Sequence, residues 1–139
     1  MTKITQVALN PTNGVTHQRT GSRPYKFCVV SPSKWRREGY YEAWTASEAP
    51  RVRPGDTVLP VRVVTDKLEL AELAVLRAEK HYFEQADELS RNIGREPSEY
   101  QTQEMLDRWI IELKDRVAVA DKSLVTALNK LRRLKAKEG

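Results

Sequence analysis

The sequence predicts an α+β protein, with a small antiparallel β-sheet or partial barrel in residues 1–65 and a long antiparallel helical hairpin, a coiled coil, in residues 66–139. Three observations carry this expectation. Up to about residue 65 the chain is punctuated by turn formers, among them Asn10-Pro11, Asn13-Gly14, Ser31-Pro32 and Pro54-Gly55-Asp56. Beyond Thr65 the good helix formers Leu, Ala, Glu, Lys and Arg dominate, and before the terminal residue the sole Gly and Pro are Gly94 and Pro97. Finally, Leu106, Ile110, Leu113, Val117, Ala120, Leu124, Ala127, Leu131 and Leu134 step alternately by 4 and 3, the spacing of a heptad seam.

In the front half, the segments rich in β-branched and aromatic residues are KITQVAL (3–9), YKFCVVS (25–31), YYEAWTA (40–46) and TVLPVRVV (57–64). They predict four or five short strands. RVRPGDTVLPV has the form of a tight turn feeding a strand, with Gly55 free to take positive φ. Pro60 has no N–H for a ladder, so its strand is expected at an edge or bulged there. The stretch NGVTHQRTG is read as a basic loop in which His17 is expected to be solvated, a proton carrier or phosphate contact being the alternative.

In the back half, one helix is expected over about 66–92, a turn over 93–97 and a second helix over about 98–136. Gly94 suits a helix C-terminus, and Ser98 with Gln101 forms a capping box. On the first helix Leu68, Val75, Tyr82 and Leu89 repeat every seven residues with Ala71 and Ala78 between, and Leu73, Leu76 and Phe83 widen the stripe. The predicted interface on the second helix is Leu106, Ile110, Leu113, Val117, Leu124 and Leu131. Further apolar positions there, including Trp109, Val119, Val125 and Leu128, exceed what one partner helix covers. They predict that the hairpin docks on the β part or on a second copy, with a homodimer as one outcome.

A chain of 139 residues holds one domain, or one small domain with an appendage. It carries 24 basic and 19 acidic residues, with a pI near 9.4. Residues 1–65 hold ten basic and four acidic side chains and the first 37 no acid at all; residues 66–121 hold eight and fourteen, and residues 122–139 six and one. The order is basic, acidic, basic. In a folded-back hairpin the end of the second helix returns to where the first began, so the two positive segments are expected to meet at one pole and an acidic arm to project. Phosphates are the natural ligand of such a pole, because each neutralising Lys or Arg releases a counterion. The expected nucleic-acid-binding residues are Arg19, Arg23, Lys26, Lys34, Trp35, Arg36, Arg37, Arg51, Arg53, Lys130, Arg132, Arg133 and Lys135. Tyr25, Trp35, Tyr40, Tyr41 and Trp44 are interleaved with these cations, where an exposed ring stacks on bases and a buried one serves the core.

Catalytic chemistry is thinly supplied. One cysteine, Cys28, excludes an internal disulfide and fits a reducing, cytoplasmic setting as a small buried hydrophobe. With one Cys and two distant histidines, His17 and His81, no zinc site follows from spacing, and no catalytic residue, metal or cofactor is implied. Glu38, Glu42 and Asp56 form a metal cluster only if the fold makes them converge. The first fourteen residues lack the apolar core of a signal peptide, and no stretch reaches the roughly 20 apolar residues of a membrane span. The layout of RTGSRPYKFCVV followed by a long helical hairpin is similar to that of small basic accessory proteins encoded by phages and plasmids. The expectation is therefore a non-enzymatic accessory protein that binds DNA or RNA backbone through the basic β part and uses the helical arm to oligomerise or dock a partner. The alternative is a protein–protein interaction module, an inhibitor or adaptor acting through the hairpin.

Overall fold

Six short strands precede two long helices in the computed structural model, which describes residues 2–138. The chain divides into two units, Met1–Asp66 and Lys67–Gly139.

The first unit contains β1 (Ile4–Leu9), β2 (Thr16–Gly21), β3 (Phe27–Pro32), β4 (Tyr40–Thr45), β5 (Thr57–Pro60) and β6 (Arg62–Val64). They form two three-stranded sheets, in the orders β2-β1-β6 and β4-β3-β5, with every adjacent pair antiparallel. Pro60 lies on the edge strand β5, and the ladder breaks after it. The chain then changes sheets, so that Leu59 pairs with Cys28 in one sheet and Val63 with Gln6 in the other. Ala8 of the first sheet packs with Cys28, Val30 and Leu59 of the second, and Tyr40, Trp44 and Val61 lie against this cluster.

The stretch read as the basic loop NGVTHQRTG contains β2. THQRTG is too polar to announce a strand, and it becomes one by pairing along its whole length with β1, from Ile4 opposite Gly21 to Leu9 opposite Thr16. His17 is accordingly buried, 2% exposed, rather than solvated. Its Nδ1 meets Oε1 of Glu42 at 2.8 Å, and its ring stands edge-on to Tyr40 with centroids 5.0 Å apart. Since β2 and β4 belong to different sheets, this contact ties the two together. Gln6 is a second buried polar tie. Its Nε2 donates to the Arg23 carbonyl at 2.9 Å and its Oε1 accepts from the Tyr25 N–H at 2.7 Å, so both ends of the amide replace the water lost on burial.

The second unit is α1 (Lys67–Asn92) and α2 (Gln103–Glu138). Lys67, Leu70, Ala71 and Ala74 share a groove with Ala127, Lys130 and Leu134, which places the start of α1 beside the end of α2 and makes the hairpin antiparallel. On α2, Leu106, Leu113 and Ala120 are buried, and Ile110, Val117, Leu124, Ala127, Leu131 and Leu134 are half-buried. Replacing a fully buried leucine such as Leu113 by alanine costs about 2–5 kcal/mol in comparable cores. On α1, Leu68, Ala71, Val75, Ala78, Tyr82 and Leu89 face inward. Leu76 and Phe83, expected to widen that stripe, are instead 50% and 63% exposed.

The second helix begins five residues later than Ser98, the expected cap. Thr102 is the cap: its Oγ1 accepts from the Met105 N–H at 3.1 Å and its carbonyl from the Leu106 N–H at 3.1 Å. Ser98 and Gln101 form a turn ahead of it, with the Gln101 N–H on the Ser98 carbonyl. Arg95 organises the connection, donating from Nε to Asn92 Oδ1 at 2.8 Å and from Nη1 to the Glu96 carbonyl at 3.0 Å and Gln101 Oε1 at 3.1 Å. Gly94, at φ 80°, ends α1 in the left-handed region as a C-terminal glycine does.

His17 Nε2 is buried without a hydrogen-bond partner among the described residues, so Nδ1 is the ring's one polar anchor. Glu42→Ala should therefore lower unfolding free energy in urea by about 1–3 kcal/mol, and Glu42→Gln, which keeps an acceptor, should recover most of it. Equal midpoints for all three proteins would show that the tie contributes nothing.

Candidate nucleic-acid interface

The cations that flank YKFCVV in sequence lie at opposite ends of one strand in space. β3 is six residues long, about 20 Å at ~3.3 Å per residue. Arg23 and Lys26 precede it, with Arg19 nearby in chain order on β2, whereas Lys34, Arg36 and Arg37 follow it.

The leading group is tied into the fold. Arg19 places its guanidinium 5.1 Å from the Tyr25 ring, and Tyr25 leans on Trp44 at 6.4 Å. The Lys26 N–H donates to Thr45 O at 2.8 Å, its carbonyl accepts from the Val61 N–H at 3.0 Å, and its ammonium pairs with Glu48. The carbonyl of Arg23 is held by Gln6.

The trailing group occupies the β3–β4 hairpin tip, residues 33–39. Ser33 N–H donates to the Gly39 carbonyl at 2.8 Å, Gly39 N–H to the Arg36 carbonyl at 3.0 Å, and Trp35 N–H to Ser33 Oγ at 3.2 Å. These bonds close the tip and turn its side chains outward. Lys34, Trp35, Arg36 and Arg37 are all exposed, Trp35 to 91%, and Arg36 lays its guanidinium 4.5 Å from the Tyr41 ring.

Arg51 and Arg53 reach the same end by a different route. β4 and β5 both run antiparallel to β3 and flank it, so they are parallel to each other. The chain therefore leaves β4 beside Phe27 and must travel the length of β3 to enter β5 opposite Val30. Residues 46–56 make that journey over the outer face of the sheet. They enclose a groove of about 1090 Å³ whose lining includes Val29, Tyr41, Ala43, Pro50, Arg51 and Arg53. The crossing ends in the turn Arg53-Pro54-Gly55-Asp56, with Pro54 second, Gly55 third at φ 91°, and the Asp56 N–H on the Arg53 carbonyl at 3.0 Å, the pattern of a type II turn. Asp56 Oδ2 accepts from the Arg53 N–H at 2.9 Å. That bond, with a further one from the Ser31 side chain and the charge of Arg53, holds the Asp56 carboxyl below its usual range. Gly55 lies beside Pro32, next to the hairpin tip.

The fold thus brings Lys34, Trp35, Arg36, Arg37 and Arg53 to one end of the second sheet, with Arg51 along the crossing, and leaves Arg19, Arg23 and Lys26 at the other end. Arg23, Lys34 and Arg51 make no ion pair among the described residues. Lys130, Arg132, Arg133 and Lys135 belong to the second unit, exposed in the closing turns of α2. Of the five aromatics interleaved with the cations, Trp35 and Tyr41 are exposed, while Tyr25, Tyr40 and Trp44 are half-buried. Sequence reasoning did not foresee the groove, the Arg36–Tyr41 stack or the role of Gln6. The pattern RPGD was the available signal for the turn, but nothing local announces which strand lies between β4 and β5.

Of the three carboxylates, Glu42 engages His17 and Trp44 Nε1 and Asp56 its own turn, while Glu38 is exposed at the hairpin tip. Among the described residues no group of three or more His, Cys, Asp or Glu is placed to hold a metal ion, and no helix is long and apolar enough to cross a membrane. Cys28 is fully buried. Burial pushes its thiol up to about 12, with the Glu42 charge adding in the same direction, so Cys28 carries no thiolate at neutral pH. No family model, curated protein or solved structure matches the chain.

A thiol that ionises at 9.0 in the unfolded chain and near 12 in the folded one makes the native state bind the extra proton across that window. Stability due to Cys28 is then complete below pH 9.0 and falls as pH rises toward 12. The urea midpoint of the native protein should decline more steeply over this range than that of Cys28→Ala, and parallel declines would overturn the assignment.

Proposed function

We propose that the chain binds the phosphate backbone of nucleic acid through the cationic end of its β4-β3-β5 sheet and uses the helical hairpin to oligomerise or dock a partner. The observation that supports this reading is the gathering of two basic segments remote in sequence, 34–37 and 51–53, around an exposed Trp35. Among their immediate neighbours the acidic side chains are Glu38 and the turn-bound Asp56. Such a surface attracts polyanions by counterion release, an affinity that depends on salt far more than on base sequence. The Arg, Lys and Trp side chains suit phosphate contact and stacking, and no chemical step is required of them. On this reading the protein is a non-enzymatic accessory factor.

In an electrophoretic shift or anisotropy titration, Arg36→Ala with Arg37→Ala should weaken binding alike on unrelated sequences and reduce the salt slope by about 1 for each lost phosphate contact. Arg19→Ala with Arg23→Ala, at the far end of β3, should weaken it less. Unchanged affinity and slope for the Arg36/Arg37 pair would overturn the site.

The hairpin carries an observation that favours the docking role. Ile111 and Val125 are 67% and 47% exposed, and with the exposed Ala118 they repeat every seven residues on a face of α2 turned away from the seam. A second copy is the occupant expected on this stripe. Light scattering should give a dimer for the native chain and a monomer for Ile111→Glu with Val125→Glu. A native monomer would overturn self-association.

A further inference from the structure

We infer that the groove beneath the crossing segment 46–56 is a binding site for single-stranded nucleic acid, in preference to duplex; the inference rests on the nucleic-acid reading above and assigns its substrate class. The groove joins two kinds of surface. Its floor carries apolar surface from Val29 and Ala43 beside the hydroxyls of Ser31 and Thr45, and Tyr41, at 43% exposure, and Pro50 and Pro54 also line it. Its cations are Arg51 and Arg53, and the carboxylate in its lining, Asp56, is turned into hydrogen bonds with the Arg53 N–H and the Ser31 side chain. A ligand that covers both must alternate anionic groups with flat, weakly polar rings, which is the make-up of a polynucleotide strand.

Duplex satisfies one of these surfaces alone. Its bases are stacked inside and offer their edges in the grooves, so it presents phosphate and sugar to the arginines and leaves the apolar part of the floor uncovered. A single strand can splay its bases onto Tyr41, while the Arg36 guanidinium stacked 4.5 Å from that ring extends the platform, since guanidinium planes also stack on bases. At about 1090 Å³ the open groove slightly exceeds the ~300–1,000 Å³ of pockets that enclose one small molecule, which suits an extended ligand. Prolines on both sides of Arg51-Val52-Arg53 limit the backbone freedom lost when the strand enters. An acidic peptide matches the arginines but brings no ring for each charge, and it forms the contrasting arm of the test.

The experiment is fluorescence anisotropy on the full chain with three labelled probes: a mixed-sequence DNA strand of about 12 nucleotides, the same sequence as duplex, and an oligoglutamate peptide. The single strand should bind about 10-fold more tightly than the duplex at equal salt. Tyr41→Ala should remove about 10-fold of single-strand affinity and little of the duplex affinity, Tyr41→Phe should keep the native value, and Arg51→Ala with Arg53→Ala should weaken the single strand most. Circular dichroism melts establish that each variant is folded, and the Phe variant separates loss of the ring from loss of structure. Equal binding of strand and duplex, unmoved by Tyr41→Ala, overturns the groove assignment while the backbone reading stands. Binding of neither DNA form, with oligoglutamate held through Arg51 and Arg53, overturns both.

Discussion

The placement of β3 between β4 and β5, antiparallel to both, is the constraint on which the β unit depends. Two flanking strands that run the same way cannot be joined by a tight turn. The connection has to cross the sheet, and in doing so it covers Val29, forms a walled groove and delivers Arg53 to the end already occupied by the hairpin tip. Had β5 paired beside β4 as a simple meander, Arg51 and Arg53 would sit in a short turn at an edge. The grouping of cations is thus a product of strand order more than of composition.

A cluster of Ala8, Cys28, Val30 and Leu59 is a small core for two sheets, and small apolar side chains leave their mutual orientation weakly specified. Polar contacts supply what shape does not. Gln6 fixes the strand-to-strand loop at Arg23 and Tyr25, and the His17–Glu42 pair fixes β2 against β4. Trp44 donates to Glu42 and touches Tyr25, which carries Arg19, so a connected series of side chains runs from a buried imidazole to a surface guanidinium. The helical unit follows another economy. Its inward face is a regular file of Leu, Ile, Val and Ala, and the irregular part, the interhelical turn, is held by one arginine with three acceptors.

How far the sequence could be read follows from how local each determinant is. The α+β class is legible because the turn-punctuated, β-branched front half gives way abruptly to helix formers, and because a heptad repeat is written in the spacing of the residues themselves, Leu106, Leu113 and Ala120 among them being buried. β2 was not legible, because THQRTG acquires strand geometry and burial from β1 and from Glu42, 25 residues away. The start of α2 lies beyond Ser98 because Ser98 and Thr102 both suit a cap, and the side chain of Gln101 is drawn to Arg95 instead of closing a capping box. The cations around YKFCVV read as a single patch because they adjoin one another along the chain. A strand inverts that relation, since its two flanks are as far apart as its length allows.

β1 has β2 as one neighbour and β6 as the other, the first about ten residues along the chain and the second nearly sixty. During synthesis the β1–β2 hairpin can close early, but one side of β1 stays open until Val64 has left the ribosome. Until then Val7 and Ala8, among the most enclosed side chains of the finished protein, lie beside an unfilled ladder. The nascent chain therefore passes through an interval in which β1 offers an unpaired edge, while the neighbour already in place on its other side is the polar, arginine-bearing β2.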